Sequence, residues 1–119
     1  MRLLARLHAG SGAPTFRYRF AYVPEARRAN PEGGHGRELQ FIFGVEGMPG
    51  AGILSRGDRE VANRMRAYWI NFARSGDPNG ADLPHWDAAA GNDRLLLIAN
   101  DGIASGDDPW SERLDRLWR

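Results

Sequence analysis

The stretch SRGDREVANRMRAYWINFARSGDP, residues 55–78, reads as one long amphipathic helix. Val61, Met65, Tyr68, Trp69 and Phe72 recur at i, i+4, i+7, i+8 and i+11, which gathers them on one stripe. Its limits lie in the same stretch. Ser55, with Asp58 three residues on, forms a capping-box start, and Gly76 followed by Asp77-Pro78 ends the helix. About 20 residues at 1.5 Å each span about 30 Å, the width of a small domain. A helix of that length needs a broad apolar surface to lie on.

The flanking sequence supplies candidates for that surface. Upstream, RELQFIFG, residues 37–44, reads as a short helix with Leu39, Ile42 and Phe43 facing inward. It follows VPEARRANPEGGHG, residues 23–36, a loop rich in Pro, Gly and charge and without any period. Loops of about a dozen residues are often functional. Before the loop, TFRYRFAY, residues 15–22, alternates Phe16, Tyr18, Phe20 and Tyr22 with smaller or charged residues, the period of a strand with one buried face. LLARLHAGSGAP, residues 3–14, reads as the tail of a helix ending at Gly10 and a short connection. Downstream, LLLIA, residues 95–99, fits a buried strand closed by a turn at Asn100-Asp101-Gly102. Asp108-Pro109 opens a final helix with Trp110, Leu114, Leu117 and Trp118 as its buried stripe. Helices interspersed with strands make this an α/β chain. There is no internal repeat and no linker, so residues 1–119 are expected to form one segment without a second domain.

Composition narrows the function classes. At 119 residues with 42% apolar content, the chain has material for a packed interior. All sixteen positive charges are Arg, and fifteen acids bring the net charge to +1. Arg56, Arg59, Arg64, Arg66 and Arg74 are interleaved with Asp58 and Glu60, so no basic stripe for nucleic acid forms. The Arg-only, Ala- and Gly-rich usage points to a GC-rich genome and a bacterial source. Without cysteine there is no disulfide, thiolate zinc site or thiol nucleophile, and the compartment is not readable from redox chemistry. MRLLARLHAG is interrupted by Arg6 and His8, unlike a secretory signal or a membrane span.

His35, in the run Gly-Gly-His-Gly, is the one residue whose setting suggests chemistry. Locally it could be a catalytic base, a phosphate-loop residue or an ordinary loop histidine. Flanking glycines let a ring reach a cleft mouth, and a helix N-terminus nearby disfavours the imidazolium, both suited to a base that rests neutral. A dinucleotide fingerprint fails because no third glycine follows Gly34-His35-Gly36 at the required spacing. His8, His35 and His85 are too scattered for a metal pattern on one element. Glu38 could orient His35 or simply face the helix dipole as a first-turn acid. None of Ser11, Ser55, Ser75, Ser105 and Ser111 lies in a Gly-x-Ser-x-Gly elbow, so a base is present without its nucleophile.

FRYRF (16–20), HGREL (35–39) with FIFG (41–44), MRAYWINFARSGDPN (65–79) and LPHW (83–86) together resemble the C-terminal part of the type-B carboxylesterases, the cholinesterase-like branch of the α/β-hydrolases. The four motifs occur in the family's order and spacing from Thr15 to Trp86, less distinctly to the final helix. They correspond to about the last quarter of the family's usual length. The resemblance implies the C-terminal portion of an α/β-hydrolase fold: aromatic strand, His loop, short helix, long amphipathic helix, short strand and terminal helix. It also implies that His35 is the base of a Ser-His-Glu/Asp triad, with the serine elbow, oxyanion loop and acid N-terminal to this chain. Glu38 remains a candidate to support it. The implied partners are a small-molecule ester and the missing N-terminal part of the hydrolase, with self-association of the lone chain as a further expectation. No cofactor, metal, nucleic acid or membrane is implied. Glu32-Gly33-Gly34 departs from the family's Gly-small-x run before the histidine. Arg37 stands where choline-selective members carry an aromatic, which favours a general esterase over a choline esterase. The competing expectation is a non-catalytic cholinesterase-like interaction module.

Overall fold

The structure is a computed structural model, and it describes residues 2–31, 35–44, 52–90 and 93–117. The chain divides into two compact units, one formed by Met1–Ala21 with Pro84–Arg119, the other by Tyr22–Leu83.

In the first unit a three-stranded sheet carries the core. β1 (Tyr18–Phe20) pairs in parallel with β2 (Arg94–Ala99), which pairs antiparallel with β3 (Gly102–Asp107), so β2 is central. A central strand covered on both faces needs a continuous apolar run. β2 provides it, with Leu95, Leu96 and Ile98 buried. The register sets Tyr18 beside Leu96 and Phe20 beside Ile98 on one side, and Ile98 beside Ile103 on the other. β3 was not expected: GIASGD has one large apolar residue and two glycines, and it becomes a strand because β2 needs a second hydrogen-bonding neighbour. The aromatic strand is shorter than the pattern predicts. Backbone pairing extends from Arg17, whose carbonyl accepts from the Leu96 N–H at 2.9 Å, to Ala21, whose N–H reaches the Ile98 carbonyl at 2.8 Å. Tyr18 is exposed, Phe16 and Phe20 are half-buried, and Tyr22 belongs to the other unit. Trp86 anchors the strand: its indole N–H donates to the Arg17 carbonyl at 2.8 Å, and its ring meets Phe16 and Tyr18 edge-on at 5.9 and 6.1 Å. Ser105 in β3 holds the Trp86 segment by donating to the His85 carbonyl and accepting from the Asp87 N–H.

α1 (Arg2–Gly10) and α4 (Ser111–Leu117) complete this unit. α1 buries none of its residues; Leu3, Leu4 and Leu7 are exposed. α4 starts two residues later than the Pro109 signal suggests, after a turn in which the Asp108 carboxylate accepts from the Trp110 N–H at 3.0 Å. Its expected stripe is not buried: Trp110 and Leu117 are exposed, Leu114 is half-buried, and Trp118 lies outside the described residues.

Charge rather than apolar area secures α1. The Asp93 carboxylate accepts from the Arg2 guanidinium and from Arg6, at 3.0 Å from Nε and 2.5 Å from Nη2. Arg2 also reaches Asp115 at 2.9 Å and the Ser111 carbonyl at 3.1 Å, which joins α1 to α4. Arg17 lies 3.7 Å from Asp93 and donates to Asp108 at 2.7 Å. The Arg2 hydrogen bond, reinforced by Arg6 and opposed by partial burial, holds the Asp93 carboxyl well below the usual carboxylate range.

The second unit is helical. A 3-10 turn at Glu25–Arg27 precedes α2 (Glu38–Phe43) and α3 (Arg56–Ser75). Ser55 and Asp58 form the expected capping box, and Gly76, at φ +76°, ends α3 in the left-handed conformation that its sequence position predicts. The buried face runs Asp58, Ala62, Met65 and Tyr68. It is rotated from the expected stripe: Val61 and Trp69 are half-buried and Phe72 is exposed, because α3 turns its small Ala62 toward the close-packed side. Beyond α3, Asn71 Nδ2 donates to the Pro78 and Asn79 carbonyls, which folds the Gly-Asp-Pro-Asn loop back on the helix. In α2 the inward residues are Phe41 and Ile42, while Leu39 and Phe43 are exposed. Six residues carry less than two turns, too few for periodicity to fix which side meets α3.

Replacing Asp93 by Asn leaves three Arg side chains without their shared anion. The loss of stability at neutral pH is expected to be about 1 to 4 kcal/mol, between values for surface and buried pairs. Because the folded carboxyl titrates below its unfolded value, the wild-type advantage is complete above about pH 4 and declines as pH falls through the folded value. Urea midpoints of wild type and Asp93→Asn should therefore differ at pH 7 and converge on acidification; parallel curves down to pH 2 would contradict the assignment.

Candidate functional site

His35 opens the turn that leads into α2. Its side chain is exposed, and the next residue, Gly36, has φ +75°, a left-handed conformation costly to any residue with a Cβ. The Gly36 carbonyl accepts from the Leu39 N–H at 3.2 Å, and a Cβ at Gly36 would sit 3.4 Å from Leu39 Cδ1. The turn thus delivers the imidazole at the start of a helix with its ring facing outward. Arg37 serves as N-cap with no side-chain bond, and Glu38 is the acid of the first turn, half-buried.

The helix behind His35 is firmly seated. Phe41 is fully buried and its ring meets Tyr22 edge-on at 5.5 Å. Gly44 closes α2 at φ +66°, and a Cβ there would lie 2.6 Å from Arg66 Nη1, so the guanidinium from α3 lies directly against this helix end.

The Tyr22 hydroxyl donates to Asp58 Oδ1 at 2.7 Å, and the Glu25 N–H donates to the same oxygen at 3.2 Å. Ser55 N–H donates to Oδ2 at 2.9 Å. Asp58 has no exposed surface. Burial opposes its ionisation, but the Ser55 N–H, the Tyr22 hydroxyl and the Glu25 N–H outweigh that and hold the carboxyl below its ordinary value. Burial, reinforced by Asp58 and opposed by Arg28, raises the Tyr22 phenol. The hydrogen bond therefore has one sense at neutral pH, with phenol donating and carboxylate accepting. Burial likewise pushes the Tyr68 phenol up to about 12, with Arg64 opposing.

His35 and Glu38 sit on the same short element but are not hydrogen-bonded to each other among the described residues. His8 Nδ1 lies 2.7 Å from Thr15 Oγ1 on the end of α1. His85 is exposed, with Nε2 3.5 Å from Asp87. The three histidines thus occupy separate local settings, and among the described residues no three His, Cys, Asp or Glu side chains gather where they could hold a metal ion. Nor is any helix among them long and apolar enough to cross a membrane. Glu32, Gly33 and Gly34, where the loop departs from the expected run, lie outside the described residues. Sequence reading missed the Asp58 cluster. The Ser55–Asp58 cap was visible, but Tyr22, 36 residues away, carries no local mark of pairing with it.

Known proteins resemble this chain in both sequence and fold. Residues 1–113 match the profile of the carboxylesterase family. Carboxylesterase 5A of Mus musculus is 37% identical over 102 residues, covering 79% of this chain and 18% of that protein. Liver carboxylesterase of Sus scrofa is 40% identical over 92 residues, covering 70% of this chain and 15% of that protein. The crystal structure of Geobacillus stearothermophilus carboxylesterase EST55 superposes with a TM-score of 0.75 at 32% identity, covering 97% of this chain and 24% of that one. Aspergillus niger EstA, at 23% identity and a TM-score of 0.72, shares the fold. The chain spans less than a fifth of the curated relatives named here, and their mammalian origin lends no support to the bacterial source expected from composition. With its profile match running nearly end to end, and a mixed sheet and helices that superpose on α/β-hydrolase enzymes, the chain belongs to the carboxylesterase family.

Proposed function

We propose that this chain is the C-terminal segment of a serine carboxylesterase and supplies its general base, His35. The observation that carries the reading is the outward-facing imidazole on the Gly36 turn at the head of a seated helix, within a carboxylesterase-family sequence. The nucleophile, the acid and the oxyanion donors belong to a part of the protein outside this chain. The 119 residues are one segment of a single catalytic domain.

In that setting His35 takes the proton of the serine hydroxyl as its oxygen attacks the ester carbonyl. The resulting imidazolium returns the proton to the departing alcohol, leaving an acyl-enzyme. Water then repeats the cycle: His35 accepts its proton, the acyl bond breaks, and the serine is re-protonated. Glu38 adds a negative charge near the imidazolium, and no cofactor is needed. Arg37 beside the base, in place of an aromatic, suits general carboxylic esters better than a choline ester.

The pure 119-residue chain is expected to hydrolyse short-chain p-nitrophenyl esters no faster than its His35→Ala variant. In the complete enzyme, His35→Ala should slow acylation by about 10⁴- to 10⁶-fold, while His8→Ala and His85→Ala leave it within about 2-fold. Stopped-flow acylation rates decide it. Equal losses at His35 and His85 would mean the wrong base, and His35-dependent turnover by the lone chain would overturn the fragment reading.

Leu3, Leu4, Leu7, Phe43, Ile53 and Leu117 are each between 64% and 89% exposed, more large apolar surface than a chain of this size ordinarily leaves uncovered. The lone chain should therefore self-associate and bind a hydrophobic dye, and the N-terminal part of a related enzyme supplied in trans should suppress both. Light scattering reads the mass. A dye-silent monomer unfolding cooperatively at several kcal/mol would instead identify a self-sufficient, non-catalytic interaction module.

A further inference from the structure

Asp58 accepts more hydrogen bonds than its position in a helix cap requires. A capping box needs only the reciprocal exchange with Ser55, which an exposed Glu or Gln also provides. Here the carboxylate is wholly buried, and two further donors converge on it, the Tyr22 hydroxyl and the Glu25 N–H. Both come from the segment that leads toward His35. A third residue of that segment, Arg28, acts on the same Tyr22 phenol by opposing the rise in its pKa. On the far side of His35, the Tyr22 ring packs against Phe41, which is fully buried in α2. One carboxylate thus ties down the chain before the histidine through Tyr22 and Glu25, and the helix after it through the Tyr22 ring.

We infer that Asp58, acting through Tyr22, is a positioning residue for His35: it fixes both flanks of the segment that presents the imidazole. The inference rests on the reading of His35 as the base. The phenol stays protonated and the carboxyl ionised at neutral pH, so the linkage is in place wherever a neutral imidazole can act. A general base must sit within hydrogen-bond reach of the proton it removes, and a displacement of about 1 Å can cost about 100-fold in rate.

The test uses the complete enzyme that contains this segment and the acylation burst with p-nitrophenyl acetate. Burst amplitude counts intact sites; the rate constant measures how well each is arranged. Asp58→Asn and Tyr22→Phe are each expected to lower the rate constant per site by about 10- to 100-fold, with KM changed less than about 3-fold and amplitude retained. The double variant should be no slower than Asp58→Asn alone, because both changes break one linkage. Asp93→Asn, which removes a carboxylate from the other unit, should lower stability but leave the rate per site unchanged. If Asp58→Asn fails to fold, Tyr22→Phe, which deletes only a hydroxyl, decides by the same rate. Variants that lose amplitude or stability but keep the wild-type rate per site would reduce Asp58 to a helix cap and overturn the inference. If His35→Ala abolishes the burst while Tyr22→Phe does not slow it, only the positioning role fails. A burst that survives His35→Ala removes the base assignment and the inference together.

Discussion

A carboxylate taken wholly out of water must be met by donors, and in the unit Tyr22–Leu83 that requirement organises everything else. Asp58 is fully buried, and its two oxygens receive a phenol and two backbone N–H groups. An unpaired charge at that depth would cost far more than the unit could offset. The start of α3, the Tyr22 side chain and the 3-10 turn at Glu25 that enters the histidine loop are therefore not independent features. They meet at one anion, and each is fixed only when the others are.

The other unit meets a similar requirement differently. Asp93 is only partly buried, and it binds two arginines from α1 and lies near a third, Arg17, just before β1. Here charge stands in for apolar contact, since α1 buries no residue of its own. The all-arginine composition suits this role, because a guanidinium offers several donors in a fixed plane and can serve two carboxylates at once, as Arg2 does with Asp93 and Asp115. A near-neutral net charge thus conceals strong local pairing.

What the sequence makes legible is what lies within one turn or one period. The limits of the long helix could be read nearly to the residue because its Ser55–Asp58 cap and its Gly76 stop are local, whereas its buried face was read one position off at Val61, since Ala62 turns inward instead. The sheet was legible at its centre, where Leu95, Leu96 and Ile98 form a run that nothing but burial explains, and in the aromatic strand, of which Tyr18–Phe20 forms β1. β3 was hidden because its strand state comes from its neighbour, not from its own side chains. Tyr22 was assigned to a strand face because a period of two does not reveal where the chain bends away, although Pro24 two residues later hints at it. His35 stands out by its glycines, but its local sequence leaves its role open, and only the resemblance of the surrounding motifs to a family suggests one. Asp58 announced its cap and nothing more.

The parallel pairing of β1 with β2 has a consequence for the order in which the chain can assemble. Parallel neighbours cannot be joined by a tight turn, so the chain leaves the sheet after β1 and returns only at Arg94. The unit Tyr22–Leu83 lies between, continuous in sequence and rich in short-range helical contacts. On a ribosome, the unit Tyr22–Leu83 emerges whole before β2 and Trp86, which pair with the aromatic segment, have been made. Local contacts form fast and distant strand pairings slowly, so the sheet is the last part to close. The pairing of Tyr18–Phe20 with β2 therefore comes late, an interval in which other chains can compete for it.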